Sequence, residues 1–269
     1  MKRKRAVRYL NKFSLFLTIF GLFIAQTTMA QNATTSSDKP KTYRVKVLEV
    51  LPHDINSYTQ GLFFHNQQLY ESAGQYGESK FRKVDIKKGT TLRSIEFPAK
   101  YFAEGSTVIG ERLYILTWME RVVFVYDINT FKPLGTLFNQ KEGWGLTTDG
   151  KQLIMSDGSS FIYFIDPLNF KEKSKIEVKS AGRKVTQINE LEYINGNIWA
   201  NEYGTDNIHI IDPKSGTVKA TIDCKNLLPD NLRTAKTDVL NGIAYNPATK
   251  QIYITGKLWP KMYRIQIPK

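Results

Sequence analysis

Five positions spread along the chain carry side chains suited to acid–base and hydrogen-bond chemistry: Gln60, Glu104, Trp144, Asn189 and Asn241, with Phe102 two positions before the carboxylate. Each opens a short hydrophobic run, as in Gln60-Gly61-Leu62, Glu104-Gly105-Ser106, Trp144-Gly145-Leu146, Asn189-Glu190-Leu191 and Asn241-Gly242-Ile243. A repeat that served packing alone could begin with any small apolar residue, so polar groups and rings at these starts point to a shared site. A second set, Trp118, Trp199, Tyr203, Lys257 and Trp259, ends the strands that follow and is expected to rim the same opening. Aromatic walls around a few aimed polar groups are the usual form of a site for a small ligand or a peptide terminus. A carboxyl at Glu104 among Phe102, Trp118 and Trp144 would be desolvated, its pKa raised, and able to donate a proton near neutral pH. It reads equally as a turn cap or as an ion-pair partner of Lys257. Gln60 and Asn189 could meet a substrate amide or simply tie neighbouring strands together.

The elements that must hold these residues repeat at roughly 40 to 50 residues, the period of a four-stranded propeller blade. Second strands follow at residues 69–72, 113–116, 153–156, 198–201 and 252–255, after turns carrying Asn66, Gly110, Asp149-Gly150, Asn195-Gly196 and residues 247–250. Third strands are read at residues 81–86, 122–128, 162–166, 208–212 and 262–267, and fourth strands at 91–97, 134–138, 175–178 and 218–222. The last blade lacks its fourth strand, and residues 43–50 are the candidate to pair beside residues 262–267 and close the ring. The fold class is all-β, a five-bladed β-propeller over residues 43–269, with a single short helical turn expected within residues 226–237. A β-sandwich would not explain a regular four-strand repeat.

Residues 1–30 have the layout of a secretory signal: Lys2, Arg3, Lys4, Arg5, Arg8 and Lys12 precede an apolar run and Thr28-Met29-Ala30. The run is shorter than the ~20 residues that cross a bilayer comfortably. Export to a periplasmic or extracellular space, with no membrane attachment after cleavage, is the expectation, and residues 31–42 read as a flexible leader. Removing six basic and no acidic side chains lowers the formal +13 to +7. The remaining lysines are dispersed, which argues against a nucleic-acid groove.

Other chemistries find little footing. His53, His65 and His209 have no metal-ligand spacing, and neither a phosphate-binding loop nor a Gly-x-Ser-x-Gly elbow occurs. Glu190, Glu192, Glu202, Asp206 and Asp238 read as solvated turn residues before calcium ligands. Cys224 stands alone, so no intrachain disulfide forms. Ser156-Asp157-Gly158-Ser159 reads as a tight turn.

Longer stretches carry a resemblance. They include His53-Asp54, Tyr58-Thr59-Gln60-Gly61-Leu62, Tyr70-Glu71-Ser72 and Tyr101-Phe102-Ala103-Glu104-Gly105. Further on come Glu142-Gly143-Trp144-Gly145-Leu146, Asn189-Glu190-Leu191-Glu192-Tyr193, Leu240-Asn241-Gly242-Ile243-Ala244 and Thr255-Gly256-Lys257-Leu258-Trp259-Pro260. In these the chain resembles the glutaminyl-peptide cyclotransferases of plant and bacterial type. The resemblance implies a five-bladed propeller that converts the N-terminal glutamine of peptides or proteins to pyroglutamate, releasing ammonia without a catalytic zinc or other cofactor. It places the general acid/base on Glu104, its partner on Lys257, and substrate contacts on Gln60, Phe102, Trp118, Trp144 and Asn189. Tyr58 stands where that family typically has Phe and Tyr203 where Trp is expected, which keeps an aromatic wall while altering its depth and polarity. Two alternatives from other classes are a non-catalytic propeller that grips peptide ends and a metal-dependent lactone or ester hydrolase on a similar fold.

Overall fold

A computed structural model describes residues 39–267; the signal layout and most of the leader lie outside the described residues. Five antiparallel four-stranded units succeed one another. Their inner strands are Thr59–His65, Ala103–Ile109, Leu146–Thr148, Ile188–Ile194 and Leu240–Asn246. Each inner strand lies against the next, and the last lies against the first, so the units close into a five-bladed propeller around one axis.

Blade one continues through Gln68–Ala73, Lys80–Asp85 and Thr90–Glu96, and the other blades repeat the order. Turn chemistry sets the hairpins: Asn66 and Gln67 in blade one, and Asn195 and Gly196 in blade four, all take positive φ, matching the twist of the strands they join. Hydrophobicity sets the packing, because every seam between blades carries its own core. Phe63, Phe81, Leu113 and Ile115 fill the seam of blades one and two. Leu62, Val84, Ala244 and Met262 fill the seam of five and one. Clusters built around Leu116 and Leu153, Ile162 and Ile198, and Ile222 and Ile254 fill the other three. Outer strands face water, as the exposed run Thr90–Glu96 illustrates.

Ring closure differs in detail from the single N-terminal strand expected over residues 43–50. Two strands do the work. Lys46–Pro52 pairs antiparallel with Lys261–Gln266 and completes blade five. Lys41–Arg44 pairs in parallel with Val218–Asp223 and adds a fifth strand to blade four. Lys41 and Thr42, read as leader, are therefore sheet residues; the polar composition that suggested a leader suits an exposed edge equally well. A small hairpin, Lys179–Ser180 with Arg183–Lys184, was not foreseen, being too short to show a period. The expected helical turn is the 3-10 turn Asp230–Leu232.

Candidate active site

At the starts of four inner strands the ladder register slips: between Thr59 and Gly61, Ala103 and Ser106, Ile188 and Leu191, and Leu240 and Ile243. Gln60 lies inside the first, Glu104 and Gly105 inside the second, Asn189 and Glu190 inside the third, and Asn241 and Gly242 inside the fourth. A bulge frees its residue from the alternation of the strand and re-aims the side chain, so polar groups at the strand starts can turn toward one end of the axis. Two serines secure them. Ser72 Oγ donates to the carbonyl of Glu104 at 2.6 Å, and Ser156 Oγ donates to the carbonyl of Asn189 at 2.7 Å.

A cavity of about 280 Å³ at this end is lined by Tyr58, Gln60, Phe102, Glu104, Trp118, Trp144, Asn189, Tyr203 and Lys257. The sequence-derived candidates thus fall together, with three exceptions. Trp199 is buried in the core between blades four and five, and Trp259 packs in the same cluster with its indole donating to the carbonyl of Asp238. Asn241 lies beneath the floor, donating to the carbonyl of Thr59 at 2.9 Å and to Gln60 Oε1 at 3.3 Å.

The floor is a relay across three blades. Lys257 Nζ donates to Gln60 Oε1 at 2.7 Å, and Gln60 Nε2 donates to Glu104 Oε1 at 3.0 Å. Among the described residues no direct ion pair joins Glu104 to Lys257; the Gln60 amide stands between them. With its oxygen held by Lys257 and Asn241, Gln60 ties blades together and has one amide N–H left over. Burial pushes the Glu104 carboxyl well above the usual carboxylate range; Lys257 opposes the shift, while Glu120 and Glu142 add to it. Burial also pushes the Lys257 ammonium down to about 8, against the pull of Glu104 and Asp238. Burial thus disfavours the charged form of both groups. The Lys257 ammonium lies 4.5 Å from the ring centre of Tyr58 and 5.2 Å from that of Tyr203, a cation–π cradle. Asn189 Oδ1 is buried with no hydrogen-bond partner, an acceptor left for a ligand.

The walls are rings set edge to face: Tyr58 on Phe102, Phe102 on Trp118, and Trp144 on Tyr203. Tyr58 donates to Asp238 at 2.8 Å, and burial, then Asp238, raises its phenol pKa, so it stays protonated. Gly158, in the expected tight turn, has φ +78°, and a Cβ there would sit 2.6 Å from the Trp144 ring.

Sequence reasoning overlooked the residues that hold the site. Glu71 is fully buried: its Oε1 accepts from Ser57, Thr59 and His53, and its Oε2 accepts from Arg82 at 2.6 Å. Burial favours a protonated Glu71, but Arg82 and His53 outweigh it and hold the carboxyl below its ordinary range. Ser57 and Thr59 flank Tyr58, so this buried carboxylate fixes the segment that delivers both Tyr58 and Gln60. The motifs His53-Asp54 and Tyr70-Glu71-Ser72 were visible, yet nothing local shows a residue contact across strands. Glu190 and Glu192, expected on solvated turns, are buried instead. Glu190 accepts from the backbone N–H groups of Leu62 and Ile243, and Glu192 accepts from that of Tyr245. They staple blades one, four and five at the axis, where inner-strand residues point inward.

Fold and site together define an all-β propeller with a hydrogen-bonded Lys257–Gln60–Glu104 chain at the base of an aromatic cup. The glutamine cyclotransferase family model matches residues 19–267. The chain is 38% identical to a glutaminyl-peptide cyclotransferase of Arabidopsis thaliana, over 99% of this chain and 85% of that one. A crystal structure of Myxococcus xanthus glutaminyl cyclase superposes with a TM-score of 0.79 at 33% identity, covering 85% of this chain and 98% of the other. The chain belongs to the glutamine cyclotransferase family.

Proposed function

We propose that the protein is a glutaminyl-peptide cyclotransferase, converting the N-terminal glutamine of peptides or proteins to pyroglutamate with release of ammonia. The observation that carries the roles assigned here is the Glu104–Gln60–Lys257 relay at the base of the aromatic cup. The reaction joins the α-amine nitrogen to the side-chain carboxamide carbon and breaks that carbon's bond to its nitrogen. The substrate side chain must fold back on itself, and rings on several sides impose that shape. Glu104 takes a proton from the attacking amine and delivers one to the departing nitrogen, so its protonation is restored at the end of the turnover. Lys257 or Asn189 stabilises the carboxamide oxygen as its charge grows, and the free Asn189 Oδ1 suits an N–H of the substrate. Tyr58 and Tyr203 leave the cup more polar than Phe and Trp would, which tunes preference beyond the glutamine.

Export is part of the proposal, supported by the order of basic, apolar and small residues before position 31. N-terminal sequencing of the protein recovered from the cell exterior or envelope tests it. The activity is tested by incubating the protein with a short Gln-initiated peptide, with and without a chelator, while following ammonia and the loss of one ammonia mass. Chelator-resistant cyclisation is expected. Folded protein that binds the peptide without releasing ammonia would overturn the enzyme in favour of a peptide-gripping propeller, and cyclisation lost to the chelator would overturn the metal-independent chemistry.

A further inference from the structure

We infer that Glu142, outside the cup's lining, is a positioning residue for the cyclisation: one carboxylate that clamps both tryptophan walls and keeps a negative charge near the catalytic carboxyl. The inference rests on the cyclotransferase reading. Glu142 lies in the connection between blades two and three, and a single oxygen, Oε2, accepts from Trp118 Nε1 at 2.9 Å and from Trp144 Nε1 at 3.3 Å. Trp118 directly follows the second strand of blade two, Arg112–Thr117, and Trp144 leads into the inner strand of blade three, so the carboxylate bridges the seam. Each indole then bears on another lining ring, Trp118 on Phe102 at 5.7 Å between centres and Trp144 on Tyr203 at 5.8 Å. Four of the cup's five rings are thus linked to one surface side chain, two by hydrogen bonds and two through a ring contact. A misplacement of the walls loosens the folded-back glutamine that cyclisation requires.

The second effect is electrostatic. Burial pushes the Glu104 carboxyl up; Lys257 of blade five opposes the shift, and the negative charges of Glu120 and Glu142 add to it. Gln60 and Tyr58 reach the same space without formal charge, and Asp238 acts on Lys257 and Tyr58. Lys141, next to Glu142, is turned away, paired with Glu172 at 3.3 Å and lying over Tyr163. Glu120 does related work at Phe102, accepting from Tyr76 at 2.7 Å and from the backbone N–H of Phe102 at 3.3 Å. Glu142 alone of the two holds indoles.

Glu142→Gln keeps an oxygen acceptor for both indoles and removes the charge; Glu142→Ala removes both. The expected result for Glu142→Gln is a near-normal KM and tryptophan near-ultraviolet circular dichroism, with the limb of the kcat/KM profile set by Glu104 moved to lower pH. For Glu142→Ala the expectation is a KM raised roughly ten-fold, a changed tryptophan signal and the same pH displacement. Wild-type kinetics and spectrum in Glu142→Ala would overturn the clamp, as would an equal rise in KM and an equal spectral change in the two variants. A pH profile that neither variant moves would overturn the electrostatic part. The spectrum is read without substrate, so it reports on the clamp even if the wild type releases no ammonia, the outcome that defeats the cyclotransferase reading instead.

Discussion

Lys257 shows how placement changes the chemistry of an ordinary side chain. Only 2% exposed, it is desolvated, cradled by two phenol rings and held by the Gln60 oxygen, and its ammonium is brought down to about 8. The catalytic role assigned to it needs the charged form, so wild-type activity is expected to fall as pH rises through about 8. Lys257→Met should lose that alkaline limb and cost about 100-fold in kcat, which a kcat profile from pH 6 to 10 checks. Eight of the nine lining residues were legible from the repeat, because it marks strand starts and strand ends, the places a propeller gathers at one mouth; Tyr58 was named only through the family resemblance. Trp199 was misassigned by the same rule: it lies at the third position of Asn197–Glu202, inside the strand, where alternation turns it into the core. Glu71, Glu142 and Asp238 escaped notice as supports because their partners lie in other strands or other blades.

At the scale of the element, the propeller brings inner strands so close at the axis that backbone meets backbone. A Cβ on Gly145 would lie 2.0 Å from the carbonyl oxygen of Asn189, and one on Gly105 would lie 2.4 Å from the amide nitrogen of Leu146. Gly145→Ala is therefore expected to destabilise the fold by about 2–3 kcal/mol through overpacking and to displace Asn189, raising KM in the protein that remains folded. Thermal denaturation and steady-state kinetics on the same preparation measure both. Most strand positions were readable from alternation and turn residues to within a residue or two, as in Val122–Asp127 against the expected 122–128, whereas Glu172–Glu177 begins three residues before the expected 175–178. The bulges were not readable: an extra residue within a strand leaves no mark on composition, although Gly61, Gly105 and Gly242 sit at three of them. The split of the N-terminal segment into Lys41–Arg44 and Lys46–Pro52 was hidden for a similar reason, since which blade a strand joins is decided by contacts some 180 to 220 residues away.

For the whole molecule, closure depends on carboxyls buried at the axis as well as on strand pairing. Burial pushes Glu192 up to about 8, and burial together with repulsion from Glu192 pushes Glu190 well above its ordinary range. A carboxyl whose pKa is raised by folding holds a proton in the native state that the unfolded chain has released. Its stabilisation is complete below the unfolded value near 4.5 and is lost as pH rises through the folded one. The melting temperature should therefore fall between pH 5 and 8, and Glu192→Gln should flatten that decline by about a third to a half, as scanning calorimetry across the range would register. His65, half-buried with a lowered pKa, works weakly in the opposite direction in both proteins. The five-blade architecture was legible because the repeat is long and regular, whereas the axial staples were invisible because Glu190 and Glu192 look like any acidic pair beside a turn. The proposed cyclisation turns on one buried carboxyl, which Glu104→Gln isolates by removing the proton carrier while keeping the size of the side chain. The most direct measurement is the rate of ammonia release from a Gln-initiated peptide by wild type and Glu104→Gln, each shown to be folded by its melting temperature. A loss on the order of 100-fold or more in the variant is the expected result. Near-normal turnover by folded Glu104→Gln would contradict the account.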